Sequence, residues 1–485
     1  MIRFVLIILF VLLSCFASSQ TVLSLEECIR IAQENSIEAR QAKNNYLIAN
    51  HDYTLYRKSL LPAVTLSGNL PAFNHAISTI TMPDGSESFV TQSVGKYSGA
   101  LSINQIIPFT GGQFYVSSGL QRLDIYQDNT TTSYLANVIN LGLSQSILSY
   151  NPYKWKKKIE PIQYEKAKRI YIEKLEETAL LAINHYFELL SYQFSKELLS
   201  QNKLNSDTLL SMAKERFNLE KITEDELLEV EINNLNLIIQ IEEMENNRLE
   251  KQSAIIDFLG LTKGETLHLQ VPNELLLDAI EQSKVEFEAK QNGSAELYYQ
   301  QNLLEAQSEL AQSKSDHGFA VNLYASFGLS QSDELFRNAY INPLNQEQIT
   351  LSFTIPVIDW GVAKQKRKRA EVVFHNTTLS IKQDELDFYR NLNNIVRQFN
   401  LHNSYLKLVK KTGELSSIRF EMSKERYIVG KIGFLDYSVA QNERNNAQLN
   451  YIKTLKKSWV KYYEIRKLTL YDFIEDKKID VELRK

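Results

Sequence analysis

The residues best suited to chemistry are scattered through this sequence. Its histidines and cysteines show none of the spacings, such as His-x-x-x-His, that build a metal site. The sequence has no P-loop, no nucleophile elbow and no dinucleotide-binding fingerprint, and its acidic residues are spread along predicted helices. We therefore expect a protein that is not an enzyme and that has no catalytic residue, metal or cofactor. The histidines and cysteines are Cys15, Cys28, His51, His75, His185, His268, His317, His375 and His402.

The composition narrows the class of protein further. The 485 residues carry a net charge of −4, which gives no reason to expect nucleic acid as a partner, since that requires a strongly basic surface. Only 17 glycines and 9 prolines are present, and this scarcity disfavours an all-β or linker-rich protein. The abundant Leu, Ile, Glu, Lys, Asn and Gln residues favour long helices instead.

The first 20 residues have the pattern of a secretory signal. One arginine is followed by an apolar run at 4–13, which is too short to cross a bilayer, and then by small residues. Cleavage before Gln20 would define a signal peptide at 1–19. The alternative is a lipoprotein signal, with Cys15 as the lipidated N-terminus. Because no other apolar run reaches 18 residues, we expect a periplasmic or extracellular protein, or a membrane β-barrel.

Two pairs of related segments predict an internal duplication. ERFNLEKI at 215–222 and ERYIVGKI at 425–432 share Glu, Arg, Lys and Ile at matching positions, 210 residues apart. LSQSILSYNPYKW at 143–155 resembles LSFTIPVIDWG at 351–361, at an offset of 208 residues. Two matches in the same order with nearly equal offsets are typical of a repeated structural unit. The predicted chain order begins with a signal peptide at 1–19 and a first repeat at 20–262, which holds strands in 62–148 and a helical hairpin at 153–261. A connector follows at 263–294. The second repeat, at 295–474, holds strands in 319–358 and a hairpin at 361–470, and a tail follows at 475–485.

Each repeat contains a very long predicted helix and a returning helix. Residues 153–217 and 361–428 carry apolar side chains at helical spacing and almost no Gly or Pro. At about 1.5 Å per residue such a helix is roughly 100 Å long, so its apolar stripe needs a coiled-coil partner. The octets end these helices: Gly430 can adopt the left-handed conformation that closes a helix, and Thr223 with Glu226 forms a capping box for the next one.

Five segments alternate between apolar residues and small uncharged polar residues. This alternation over about ten residues is typical of a transmembrane strand with one face on lipid and one on a wet lumen. A soluble β-sandwich also alternates, but its solvent face usually carries Lys, Glu and Thr. Trp155 and Trp360 follow strand ends, where interfacial aromatic residues belong. A few strands cannot enclose a wet lumen, so such a barrel would be shared between subunits. The segments are 63–70, 97–106, 139–147, 319–330 and 349–357.

The order of helix, strands, long helix, tip and returning helix resembles the TolC-type outer membrane efflux proteins. The resemblance rests on 23–68, on LSFTIPVIDWG at 351–361 and on the segment that begins ERYIVGKIGFLDYS, 425–470. It implies a mixed α and β membrane protein in which three chains share one outer membrane β-barrel, while their antiparallel coiled-coil hairpins form a periplasmic α-barrel. It also implies that the homotrimer docks onto a periplasmic adaptor and an inner-membrane pump, and exports drugs, metals, small molecules or proteins.

The resemblance also places a periplasmic gate at the hairpin tips. Tyr427 matches the family's gate tyrosine, Asp436 matches a ring-forming aspartate, and Glu226 falls where the family has an acidic gate residue. Three copies of Asp436 around an axis would favour cations, whereas the alternative is a solvated carboxylate at a helix start. The family's gate arginine falls at Ile432 and its first tip glycine at Glu220, so its salt-bridge lock is absent or rebuilt here.

The apolar residues of the tips have two interpretations. Ile222, Ile432, Phe434 and Leu435, beside Gly430, either pack a small core within the tip or form a docking surface for an adaptor. The sequence KIGFL is unusually apolar for a turn, which favours docking.

The number of strands in the first repeat is open. PFTGG at 108–112 is a tight turn and 113–120 alternates weakly. Either the first repeat adds four strands to the barrel, which gives 18 strands in a trimer, or it adds two, which gives 12, and its other hairpin packs outside the barrel. With four strands, longer outer loops are expected at 71–96 and 127–133.

Basic clusters follow predicted strands at 154–158 and 364–369. The second cluster, KQKRKR, resembles a nuclear import signal. After a signal peptide and a strand, a better interpretation is a positive band near the inner leaflet of the outer membrane, where it meets lipid phosphates or lines the tunnel mouth.

The main alternative to a channel is a secreted coiled-coil protein that scaffolds the envelope and conducts nothing. Such a scaffold has no need for an apolar strand face opposite a small polar one. The strands therefore favour an export channel in the outer membrane, with its helical tunnel in the periplasm. The exported substrate is left open, because the pump usually selects it.

Overall fold

The computed structural model describes residues 21–126, 129–262, 267–275, 277, 279–316 and 318–480. The predicted signal peptide at 1–19, Cys15 and His317 lie outside the described residues, as does the end of the predicted tail. The chain forms two compact units. Unit 1 takes in the described residues of Met1–Leu47, Lys166–Glu296 and Asp384–Lys485, and unit 2 those of Ile48–Glu165 and Leu297–Gln383.

Helices account for most of the described residues. The α-helices are α1 (Leu25–Asn35), α2 (Ile37–Ser59), α3 (Pro152–Asn218), α4 (Glu224–Leu259), α5 (Gln282–Asn292), α6 (Ala295–Ser315), α7 (Val362–Ile428) and α8 (Phe434–Thr469). The strands are β1 (Thr21–Leu23), β2 (Ala63–Thr81), β3 (Glu87–Ile107), β4 (Gly112–Tyr126), β5 (Thr131–Ile147), β6 (Leu267–Leu269), β7 (Ala320–Asp333), β8 (Leu344–Thr354), β9 (Tyr471–Asp472) and β10 (Lys477–Lys478).

Corresponding helices of the two chain halves have matching lengths. The long helices α3 and α7 have 67 residues each, and the returning helices α4 and α8 have 36 each. The helical segment before the strands is broken in two in each half, into α1 and α2 in the first and into α5 and α6 in the second. Ser36 causes the first break, because its backbone is extended and its hydroxyl accepts a hydrogen bond from the Ala39 N–H at 3.1 Å, which starts a new helix.

Unit 1 is held by an aliphatic and aromatic core to which α1, α3, α4, α5, α7 and α8 contribute. Tyr186 on α3 lies at its centre, and its buried hydroxyl donates to the carbonyls of Leu23 and Gln270 at 2.9 and 2.7 Å. These bonds attach the parallel pair β1–β6 to α3. Cys28, the described cysteine, is buried in the same core, where burial raises its thiol pKa to about 12 and keeps it unreactive.

Unit 2 contains one antiparallel sheet of six strands in the order β2-β3-β4-β5-β7-β8. The first half of the chain therefore supplies four strands to the sheet, and the weakly alternating segment 113–120 belongs to β4. The outer loop expected at 71–96 is wrong, since β2 and β3 continue through most of it. The strand expected at 349–357 ends at Thr354. None of the described helices combines enough length and apolarity to span a membrane.

Two adjacent rows of paired residues show the predicted two-faced alternation across neighbouring strands. One row is apolar from β2 to β7 and ends at Glu347 on β8, and the adjacent row, from β2 to β8, is small or polar and uncharged. Because successive residues of a strand point to opposite faces, the two rows lie on opposite faces of the sheet. The apolar row is Val64, Ile103, Val116, Leu141 and Phe327, and the polar row is Thr65, Ser102, Ser117, Asn140, Gly328 and Gln346.

Candidate functional site at the hairpin tips

The candidate site lies in unit 1, where each long helix turns into its returning helix. We call α3–α4 hairpin 1 and α7–α8 hairpin 2. The turn and its flanking residues form tip 1 (216–226) and tip 2 (426–436). Every residue that the sequence proposed for the gate or for adaptor docking lies in one of these two tips.

The two long helices end with the same backbone motif. In tip 1 the Lys221 N–H donates to the Arg216 carbonyl at 2.9 Å, and in tip 2 the Lys431 N–H donates to the Arg426 carbonyl at 2.9 Å. Such a bond requires a left-handed residue one position earlier. Gly430 takes this conformation, with φ at 75°, and so does Glu220, with φ at 51°. Glu220, at the position of the family's tip glycine, thus still adopts the left-handed conformation that closes the helix.

The returning helices start differently. The Thr223 hydroxyl accepts the Glu226 N–H at 3.2 Å, which confirms the predicted capping bond of tip 1. In tip 2 the equivalent residue is Gly433, which has no side chain to cap the helix. The next residue, Phe434, turns into a buried cluster instead.

A small aromatic core joins the two hairpins near their tips. The Tyr427 ring lies 5.8 Å from that of Phe434 and 5.7 Å from that of Tyr437, centroid to centroid. Tyr427 is 2% exposed and Phe434 4% exposed. The tip core consists of Leu209, Ala213, Val230, Phe420, Tyr427, Phe434 and Tyr437, with Leu210, Met212, Ile222, Leu227 and Ile432 packed against it.

The tip core changes the expectation for the apolar tip residues. Of the two interpretations, docking was favoured for Phe434, but its side chain is buried against Tyr427 within the tip core. Ile222 and Ile432 are partly buried against the same core. Leu435, at 65% exposure, and Gly430 remain on the surface, as does the Asp436 carboxylate.

Arg216 connects tip 1 to the end of α7. Its guanidinium donates to the Ile428 carbonyl at 2.6 Å and more weakly to the Tyr427 carbonyl at 3.4 Å, and it lies 5.7 Å from the Tyr427 ring centroid. A cation on the last carbonyls of a helix satisfies orphan acceptors and offsets the helix dipole. Burial raises the pKa of Tyr427, and the nearby charge of Glu226 raises it further.

An open cleft of about 720 Å³ separates the two tips. It brings Glu226, Ile222, Gly430 and Ile432 together, but Asp436 and Leu435 are outside its lining. Its charged side chains are three cations and one carboxylate, so the cleft is basic. The lining residues are Arg216, Lys221, Ile222, Glu226, Ile428, Val429, Gly430, Lys431, Ile432 and Gly433.

Sequence reasoning did not single out Arg216, Lys221 and Lys431. The signal was present in the octets, because both contain an Arg and a Lys at matching positions. In the part of the chain that the structure describes, no group of three or more His, Cys, Asp or Glu residues is placed to hold a metal ion.

The two predicted belt tryptophans lie in unit 2. Trp360 is 93% exposed and lies two residues before α7, at a left-handed position with φ at 54°. Trp155 is partly buried in the first turn of α3, with the Lys158 ammonium 5.2 Å from its ring centroid.

Comparison with known proteins assigns this fold to a group of membrane channels. Residues 295–465 match the sequence model of the outer membrane efflux protein family. The structure of the Campylobacter jejuni CmeC outer membrane channel is similar over 92% of this chain and 85% of its own, with a TM-score of 0.63 and 15% identity. The Vibrio cholerae outer membrane protein VceC is similar over 92% of this chain and 95% of its own, with a TM-score of 0.60 and 10% identity.

A third structure, the open state of the Neisseria gonorrhoeae MtrE outer membrane channel, covers 92% of this chain and 88% of its own, with a TM-score of 0.53 and 15% identity. A search of curated proteins found no match. The resemblance to TolC-type outer membrane efflux proteins, first seen in the sequence, is confirmed by the family model and by the fold of these channels.

Proposed function

We propose that the chain is one subunit of a homotrimeric channel in the outer membrane that exports substrates from the periplasm, or directly from an inner-membrane pump. The observation that carries this proposal is the sheet of unit 2. Its apolar rows are exposed on the edge strands, with Val64 63% and Ile349 81% exposed, and partly exposed on inner strands, with Ile103 at 40% and Phe327 at 42%, whereas a soluble sheet buries its apolar face against a core. An apolar face opposite a row of Thr, Ser, Asn, Gly and Gln suits lipid outside and water inside.

The two edges of the sheet support sharing between subunits. Among the described residues β2 and β8 each pair on one side only, and both strands are exposed along most of their length. Long exposed edges of this kind promote pairing with another chain. Three copies would join β8 of one subunit to β2 of the next and close a barrel of 18 strands, which is wide enough for an aqueous channel.

The equal lengths of α3 and α7, and of α4 and α8, support an internal duplication. Three copies would then arrange six equivalent hairpins around one axis, as the family resemblance implies for the periplasmic tunnel. No catalytic role is proposed for any residue.

In this trimer the tips form the periplasmic entrance. Asp436 and Glu226 stand at the first turns of α8 and α4, and rings of their carboxylates would favour cations. Tyr427 holds the gate by packing α7 on α8, because it is buried in the tip core. The basic cleft with Ile222, Gly430 and Ile432, and the exposed Leu435, form the docking surface for a periplasmic adaptor. Trp155 and Trp360 mark the membrane interface.

The test is single-channel conductance of the purified trimer in a planar bilayer. We expect a small cation-selective conductance for the unmodified protein and a clear loss of cation selectivity for Asp436→Asn. The matched control is Glu229→Gln, an exposed carboxylate change on α4 that removes the same charge outside the predicted ring.

Two other results are informative. If a correctly folded trimer never conducts in any variant, the channel is wrong and an envelope scaffold explains the coiled coils. If all variants conduct alike with high conductance, the channel stands and the gate assignment of Asp436 is wrong.

A further inference from the structure

Arg216 shows how one hairpin caps the other within a chain. Its guanidinium crosses from α3 to the C-terminal carbonyls of α7, at Ile428 and Tyr427, and lies beside the Tyr427 ring. The contact therefore joins the end of hairpin 1 to the end of hairpin 2.

The matching contact, from Arg426 to the end of α3, is not made among the described residues of the chain. Arg426 occupies in tip 2 the position of Arg216 in tip 1, and its exposed guanidinium makes no hydrogen bond or ion pair with any described residue. The residues that match Tyr427 and Ile428 are Phe217 and Asn218. The Phe217 ring is 38% exposed, whereas the Tyr427 ring is covered.

We propose that Arg426 of one copy caps α3 of the next copy, donating to the carbonyls of Phe217 and Asn218 and covering the Phe217 ring. This inference rests on the proposed trimer and specifies its subunit contact. Each hairpin then makes the same contact with the hairpin that follows it, alternately within a chain and between chains. Six such contacts close the ring of tips.

The helix faces beside these residues fit the same partner. Within the chain α3 packs on α8, where Arg444 of α8 donates to the Asn202 side chain of α3. Since α7 matches α3 and α4 matches α8, the corresponding contact between copies joins α7 to α4. Exposed apolar residues on α4 are spaced four, three and four apart, and those on α7 are four, three, seven and seven apart, which is the heptad spacing of coiled coils with two positions of α7 not apolar. These residues are Leu228, Ile232, Leu235 and Ile239 on α4, and Leu401, Tyr405, Leu408, Leu415 and Met422 on α7.

The two helices have net charges of opposite sign. Helix α4 carries ten acidic and two basic residues, whereas residues 401–428 of α7 carry six basic and three acidic ones. Lys411 lies 17 residues before the end of α7, and Glu242 lies 18 residues after the start of α4. At about 1.5 Å per residue both side chains are roughly 25 Å from the tips, so they lie at the same level in the proposed pairing. Opposite charges at the same distance from the tips favour a second copy of this chain as the partner in this contact.

Cysteine cross-linking tests the contact. The test variant carries Asn218→Cys and Arg426→Cys. The matched control carries Arg216→Cys and Ile428→Cys, which is the same pair moved to the contact within the chain. Single-cysteine variants at 218 and 426 account for the native cysteines. Each purified protein is treated with a short bis-maleimide reagent, run on a denaturing gel and digested for mass spectrometry.

We expect the test variant to give covalent dimers and trimers, with a linked peptide pair 218–426. The control should stay at monomer mass with a linked pair 216–428. Light scattering before the reaction reports the oligomeric state separately. A trimer whose control pair links but whose test pair gives no dimer overturns the contact and leaves the trimer intact. A protein that is monomeric in light scattering overturns both the contact and the proposed trimer.

Discussion

The two hairpin tips share one backbone and stabilise it by different means. Tip 1 depends on local interactions: Thr223 caps α4, and Glu224, Asp225 and Glu226 place negative charge on its first turn. Tip 2 lacks a side-chain cap at Gly433 and starts α8 with two apolar residues. It depends instead on tertiary packing, because Phe434 and Tyr437 enter the tip core.

The two tips should therefore respond differently when the hairpins move relative to each other. A turn with a local cap depends less on its neighbours, so tip 1 is better suited than tip 2 to keep its shape when the hairpins move apart. A turn held by packing between hairpins changes its stability when the hairpins move apart. In the proposed channel, tip 2, which also carries Tyr427 and Asp436, would therefore be the part of the entrance whose stability is coupled to opening.

Removing an aromatic ring from the tip core should have the largest effect on the difference between the two tips. Tyr427→Ala should lower the stability of tip 2 by about 3–5 kcal/mol, since it removes a buried aromatic ring. Its matched partner Phe217→Ala, at a half-exposed ring, should cost less than about 1 kcal/mol in a monomer. Native-state hydrogen exchange of the tip amides measures both. Equal effects of the two substitutions would show that the core is not what holds tip 2.

Substitutions at the two left-handed residues should change the stability of the tips by smaller amounts, and with opposite sign in the two tips. Gly430→Ala should destabilise its tip by about 1–2 kcal/mol, because an L-residue is strained at φ 75°. Glu220→Gly relieves the same strain in tip 1 and should stabilise it by up to about 1 kcal/mol. Thermal unfolding monitored by circular dichroism, together with exchange at 219–222 and 429–432, measures the two changes. A destabilising Glu220→Gly would mean that the glutamate side chain makes a contact worth more than the strain.

The helix caps give the smallest effect. Thr223→Ala should cost α4 about 1 kcal/mol, because it leaves the Glu226 N–H without its acceptor. Gly433→Ser supplies the missing acceptor in α8 and should gain only a few tenths of a kcal/mol. Exchange of the amides at 226 and 436 follows the two caps. If Thr223→Ala left the exchange at 226 unchanged, tip 1 would not depend on its local cap.

The sequence by itself determined the secondary structure of the hairpins and the faces of the sheet. The long helices end within a residue or two of the predicted positions, because apolar spacing, Gly430 and the Thr223 capping box are signals read locally along the chain. The alternation in 349–357 and in the other four alternating segments likewise determines which side chains share a sheet face, whichever strands lie next to them.

Only the tertiary structure decided what those elements pack against. The sequence left two or four strands open in the first half, since alternation within 113–120 does not say which strand it pairs with; the sheet order answered that. It also left Phe434 between core and surface, because a phenylalanine at a helix start satisfies either role. The cap by Arg216 on α7 joins residues more than 200 positions apart, and no local pattern specifies which distant carbonyls a guanidinium will meet.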